Sequence, residues 1–292
     1  MINNLHPKKI HLISFYTEGK NLDPGFDLHR TSEIFKNKAR LYFDSVQFFS
    51  PRILISKDPS WKKILEDKRE IMEQYEIKGL IEKGKWNTHW AALNFQLWKP
   101  KLIQDLLNSS SIEEDEILLY HDINFSKYPE YLSQIHRWND YFKKKFSKKS
   151  IILFNDNNAR ITTDTKPDLL ETYLPSVKYN HAKMHHIWAG AIAFKKNAKS
   201  IEFVDQWVDL CTEENLSPIY YKTPTPDFAW HSLDQACLTV NYFSNNWYLN
   251  SNCECVFLWG KRLFPTSLKQ KLRYLLGELY RRYVKKILDK FR

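Results

Sequence analysis

Glycine is scarce, with seven in 292 residues, and none of them form G-x-G-x-x-G or the phosphate-loop pattern. Dinucleotide oxidoreductases and P-loop ATPases are therefore poor candidates. Cysteine is also sparse. Of Cys211, Cys237, Cys253 and Cys255, only the last two are close, and C-x-C has neither zinc nor redox-motif spacing. Reduced thiols in a cytosolic protein are the simplest account. No apolar run approaches the roughly 18 residues that a membrane span requires. The start, MINNLHPKKIHLISFY, lacks a long apolar core and a small-residue cleavage site, so no secretory signal is expected. Internal repeats and low-complexity linkers are lacking as well.

What is present suits a globular chain. Apolar residues make up 43% and charged residues 27%, ordinary values for one large α/β domain or two small ones. Aromatics are abundant at 15%, with ten Trp and sixteen Tyr. They can line a groove for a flat or sugar-like ligand, or fill a core. The formal charge is +10, and its placement matters more than its size. From Ser267 to Arg292, nine Lys or Arg stand against Glu278 and Asp289, a net of +7.

The continuous apolar run Ile117-Leu118-Leu119 predicts a strand covered on both faces. It leads through Tyr120 and His121 into Asp122-Ile123-Asn124. Ligands of open α/β sheets bind outside the carboxyl ends of strands. Hard oxygen donors there, Asp122 and Asn124, suit Mg²⁺ or Mn²⁺ holding a diphosphate. The alternative is a turn opened by Asp122, with Asn124 capping a helix that starts near Tyr128.

Elsewhere, residues 8–16 predict a first strand broken by Thr17-Glu18-Gly19-Lys20. Phe15, Tyr16 and Thr17 at its end could shelve a nucleotide base, or Phe15 and Tyr16 could belong to the core. Helices are expected over 28–41, 61–81 (a charged surface helix), 128–146, 167–173, 200–211 and 231–240. Short strands are expected at 46–49 and 151–154. A helix opens at Trp98-Lys99-Pro100, with Pro100 in its first turn. Lys99 there could meet an anion or simply be solvated. His181, His185 and His186 cluster without a Cys or carboxylate to complete a zinc set, so surface or substrate-contacting roles are expected. Gly190, inside the strand Ile187–Phe194, suggests close approach by a ligand or another backbone. The polar loop 212–228 has the length of a lid or binding loop. Asp234 sits in the first turn of its helix beside His231, a favourable place for an acid in any case.

At the C-terminus, Leu268, Leu272, Leu275, Leu276, Leu279, Tyr283, Ile287 and Phe291 recur mostly at three- and four-residue steps between basic residues. This pattern fits a helix lying on an anionic membrane, or one packed on the domain with a solvated basic face. No nucleic-acid partner is expected, because the basic residues crowd one terminus and no binding module appears.

Trp98-Lys99-Pro100, then Leu118-Leu119-Tyr120-His121-Asp122, then Ala189-Gly190, Gln206-Trp207 and His231-Ser232-Leu233-Asp234-Gln235 form an ordered set. It resembles bacterial and viral GT-A glycosyltransferases that build surface polysaccharide (lipopolysaccharide, capsule), over roughly residues 8–245. The resemblance implies an α/β fold: a GT-A-like single domain over 1–266, with a Rossmann-like mixed sheet flanked by helices. A basic amphipathic helix would follow over 267–292. It also implies sugar transfer from a nucleoside-diphosphate sugar to a glycan or lipid-linked glycan, by a hexosyltransferase-type enzyme. The expected location is the cytoplasm, peripheral on the cytoplasmic face of the inner membrane. Asp122 and Asn124 would hold Mn²⁺ or Mg²⁺, although such enzymes usually carry Asp where Asn124 stands. Asp234 and Asp122 would be the catalytic residues: if the enzyme inverts, Asp234 would be the base that takes the acceptor proton, facing Asp122 across the cleft, and if it retains, Asp234 would hold donor or acceptor hydroxyls. Phe15, Tyr16, Thr17, Lys99, Tyr120, Gly190, His231 and Gln235 would contact substrate. Two other readings compete. A metal-dependent phosphodiester hydrolase lacks enough clustered carboxylates or histidines. A non-catalytic carbohydrate- or membrane-binding protein would carry Asn124 as the mark of a decayed site.

Overall fold

The structure is a computed structural model. It describes residues 9–16, 28–78, 93–123, 135–228 and 231–257. Thr17, Asn124, the loop 84–90 and the expected basic helix at 267–292 lie outside the described residues. Apart from Phe257, the described chain belongs to one compact unit, Met1–Val256, and Phe257–Arg292 clusters separately.

A six-stranded mixed sheet organises the domain. Its strands are β1 (Ile10–Phe15), β2 (Ser45–Phe49), β3 (Ile117–His121), β4 (Ile151–Arg160), β5 (His185–Lys195) and β6 (Cys253–Phe257), in the order β2-β1-β3-β5-β4-β6. β1 runs parallel to β2 and β3, whereas β5 runs antiparallel to both β3 and β4. The predicted covering of β3 is observed, since all five of its residues are buried.

Side-chain alternation divides the core between two faces. On one, Ile13, Leu118, Tyr120, Ile192 and Phe194 lie under helices α5 (Trp98–Asn108), α9 (Ala198–Leu210) and α11 (Leu233–Ser244). On the other, His121 and Phe154 meet α1 (Leu28–Ala39) through Phe35, and α6 (Ile135–Phe146) through Trp138 and Phe142. The result is helix, sheet, helix in three layers. No helix among the described residues is long and apolar enough to cross a membrane.

Several expectations are corrected. The single helix over 61–81 is broken into α3 (Trp61–Ile64) and α4 (Arg69–Ile77). Between them, Asp67 Oδ1 accepts from Arg69 N at 2.9 Å, and Asp67 pairs as a β-bridge with Leu93. An Asx turn thus competes successfully with helix propagation. An unforeseen helix, α2 (Pro51–Lys57), follows β2, capped by Ser50 with Pro51 in its first turn. β6 was also unforeseen. The short helix α7 (Ile161–Asp164) follows β4, and the loop 212–228 contains α10 (Glu213–Leu216), capped by Thr212.

Candidate active site

β5 carries the irregularity that shapes the carboxyl end of β3. Its register with β4 shifts between the pairs Ile152↔Ala193 and Phe154↔Trp188. Gly190 lies in this bulged stretch, and its carbonyl accepts from Asp122 N at 2.8 Å. The backbone of Asp122 is therefore fixed one residue beyond β3. A Cβ on Gly190 would stand 2.3 Å from the Trp188 indole. The immediate neighbour of this glycine is thus a ring of the protein itself.

Along and beside the bulge, side chains of α11 bind the backbone of β5. Gln235 Oε1 accepts from Ala189 N at 3.1 Å, and Thr239 Oγ1, one turn on, accepts from Ile187 N at 3.0 Å. Gln235 Nε2 donates to His186 Nδ1 at 2.9 Å, and the opposite ring nitrogen of His186 lies 3.1 Å from Ser232 Oγ. His186 is fully buried, and that burial lowers its pKa to about 4. Its expected surface or substrate role is corrected on that ground: this neutral ring joins β5 to α11. His231 is likewise internal. Its Nε2 donates to the Asn215 carbonyl at 2.7 Å, its Nδ1 accepts from Lys166 N at 3.3 Å, and burial lowers its pKa to about 3. Both nitrogens are spent on backbone.

With the helix so anchored, Asp234 meets Lys99. The Lys99 ammonium lies 3.2 Å from Asp234 Oδ2 and 3.7 Å from Asp122 Oδ1. Tyr120, wholly buried, donates to the same Asp122 oxygen at 2.5 Å. Trp98 and Tyr120 turn their rings toward the ammonium, 5.7 and 5.4 Å from their centroids. Phe15 stacks on Trp98 at 3.9 Å. It is buried in this aromatic wall, while Tyr16 beside it is half-buried.

Exposure separates the three charges. The Asp122 side chain is 26% exposed, whereas those of Lys99 and Asp234 are 6% and 1% exposed. Burial favours a neutral Lys99, but Asp122 and Asp234 outweigh it and raise the pKa, so the ammonium stays charged. For Asp234, burial is the largest influence. Lys99 offsets it in part, Asp122 adds to it, and the pKa rises to about 6. With both acids ionised, the cluster holds one ammonium against two carboxylates.

The approaches to this cluster are strained. Asn94, Phe95 and Gln96, just before Trp98, have φ of 43°, 50° and 68°, and Leu233, just before Asp234, has φ of 51°. Left-handed conformations at such residues are costly and gather at sites that need a fixed geometry. The two strained segments also contact one another through the 94–96 turn and α11.

A divalent cation can be tested against these residues. Asp122 offers a partly exposed carboxylate, and the cluster carries one excess negative charge. These features fit Mg²⁺ or Mn²⁺ bound through one carboxylate and mainly by substrate phosphates. Among the described residues, no group of three or more His, Cys, Asp or Glu could hold a metal by itself. Neither a protein-family model nor a curated protein matches the chain.

The sequence reading missed the positioning role of Tyr120 and the joining role of His186. Tyr120 was legible in principle: residues i and i+2 of a strand share a face, which places its phenol beside Asp122. Nothing in the sequence distinguished His186 from His185.

Proposed function

We propose that the protein is a GT-A-type glycosyltransferase that takes a nucleoside-diphosphate sugar as donor. One observation carries the reading. A partly exposed carboxylate stands at the carboxyl end of a buried parallel strand, joined by one ammonium to a second acid that arrives from a distant helix. This is where α/β sheets place ligands, and the local charge calls for a cation accompanying the phosphates.

In this reading Asp122 holds a divalent ion, with Asn124 as the expected second ligand, and the ion neutralises charge on the departing diphosphate when bound. Tyr120 and the bulged β5 fix the direction of Asp122. Lys99 restrains the excess negative charge at the site. The acceptor is a glycan or lipid-linked glycan of a surface polysaccharide. The basic C-terminal segment holds the enzyme to anionic lipid. Liposome flotation with and without residues 267–292 tests this last point, and equal recovery of both proteins would remove it.

Thermal protection by a panel of nucleoside diphosphates with Mn²⁺ tests the donor assignment. Protection by one of them, abolished in Asp122→Ala, supports it. If no nucleoside diphosphate shifts the unfolding temperature, the chain is better read as a non-catalytic binding protein.

A further inference from the structure

Asp234 is placed unlike an acid that meets an acceptor. Its side chain is 1% exposed, and its carboxylate is held from within the protein, by Lys99 and by the Gln235 backbone. The cation facing it is Lys99, 3.2 Å from Oδ2. Its main chain is clamped as well: Trp207 Nε1 donates to the Asp234 carbonyl at 3.0 Å, and the next residue, Gln235, is bound to β5. Swinging the carboxylate outward would leave Lys99 buried beside Asp122 alone. Asp122, by contrast, is partly exposed, and both Lys99 and Tyr120 converge on its Oδ1. Among the described residues its Oδ2 receives no such contact.

We propose that Asp234 is a positioning residue: it anchors the Lys99 ammonium, and Lys99 with Tyr120 restrains Asp122 so that Oδ2 faces the donor diphosphate and its cation. This rests on the nucleotide-sugar reading above. The arrangement is a relay of contacts, Asp234 to Lys99 to Asp122, with only the last member meeting ligand. A base would act by direct contact with the acceptor hydroxyl. A residue acting through Lys99 has nothing left to act on once Lys99 is removed.

A double-mutant cycle separates the two roles. Binding of UDP and of GDP with Mn²⁺ to the full chain is measured by titration calorimetry for wild type, D122N, D234N, K99M and K99M/D234N. Urea unfolding of each variant confirms that it is folded. D122N is expected to abolish binding. D234N and K99M are each expected to weaken it by about tenfold, and the double variant to match K99M within about twofold. The double variant also removes both members of the buried pair and so avoids an orphaned charge. Should K99M fail to fold, K99Q with and without D234N closes the same cycle. A further loss of about tenfold on adding D234N to the Lys99 variant would mean that Asp234 touches the ligand, and would overturn the proposal. Wild-type binding by D234N would overturn it too. Failure of wild type to bind either nucleotide would sink the nucleotide reading, and this inference with it.

Discussion

Strand β3 has an acid cluster at each end, and the two are built on opposite principles. At its start, Glu116 is buried and over-supplied with partners. His11 Nε2 lies 2.8 Å away, Lys9 Nζ lies 3.1 Å away, and Glu113 N donates at 2.9 Å. His11 is itself held by Ser45 at 2.7 Å. Burial alone would raise the Glu116 pKa, but these hydrogen bonds win and depress it to about 2. At the far end, Asp234 is under-supplied, with one ammonium shared between two acids, and its pKa is pushed up to about 6. The first cluster is what a fold builds to hold itself together. The second leaves an imbalance that a ligand can correct, which is how functional sites differ from structural ones.

The comparison can be broken in several ways. Removing the shared cation should have the largest effect. Lys99→Met leaves Asp234 buried without its counter-charge, and a loss of about 3–5 kcal/mol is expected in urea unfolding at pH 7.

The pH dependences come next, and they have opposite signs. Glu116 has a folded pKa below its ordinary 4.5. Its contribution is full above that value and is lost as pH falls toward 2, at most about 3 kcal/mol. Unfolding measured from pH 7 to 2 should show this slope in wild type and lose it in Glu116→Gln. Asp234 has a folded pKa above its ordinary 3.8, so the folded state binds its proton more tightly. Stability should fall by about 3 kcal/mol as pH rises from below 4 to above 6. Asp234→Asn should flatten that part of the curve. A wild-type slope of the same sign in both windows would erase the contrast.

Smaller effects sharpen the picture of how Asp122 is held. Gly190→Ala drives a methyl group into the Trp188 indole, and a cost of about 1–3 kcal/mol is expected in thermal unfolding. Tyr120→Phe removes one donor to Asp122 Oδ1 and should cost about 1–2 kcal/mol in the same measurement.

The legible parts of the fold were those with a strong local signature. Ile117–Leu119 announced a buried strand, Pro100 marked the first turn of α5, and the helix at 167–173 was delimited by its proline. Illegible were features decided by partners far along the chain. β6, which opens on Cys253-Glu254-Cys255, is only five residues long and carries too short a pattern to announce itself, and it is sheet pairing that orders it. The break at Asp67 depends on Leu93. The candidate site was legible as a set of residue types but not as roles. Asp122, Lys99 and Asp234 do come together. His231 and Gln235, for which the resemblance implied substrate contact, spend their polar atoms on backbone and on His186. A helix start that must sit on a bulged strand needs such groups whether or not it serves a site.

Lys166, which is 3% exposed, sends its ammonium into the 212–228 segment, where it donates to the carbonyls of Glu214, Ser217 and Ile219. Carbonyl rings of this sort commonly enclose a mobile ion that chelators or dilution can extract. Here the charge is covalently part of the chain at the foot of α8 (Pro167–Tyr173), so the tether cannot be washed out. Freeing this stretch of polypeptide would require neutralising that amine or dragging the neighbouring helix along with it.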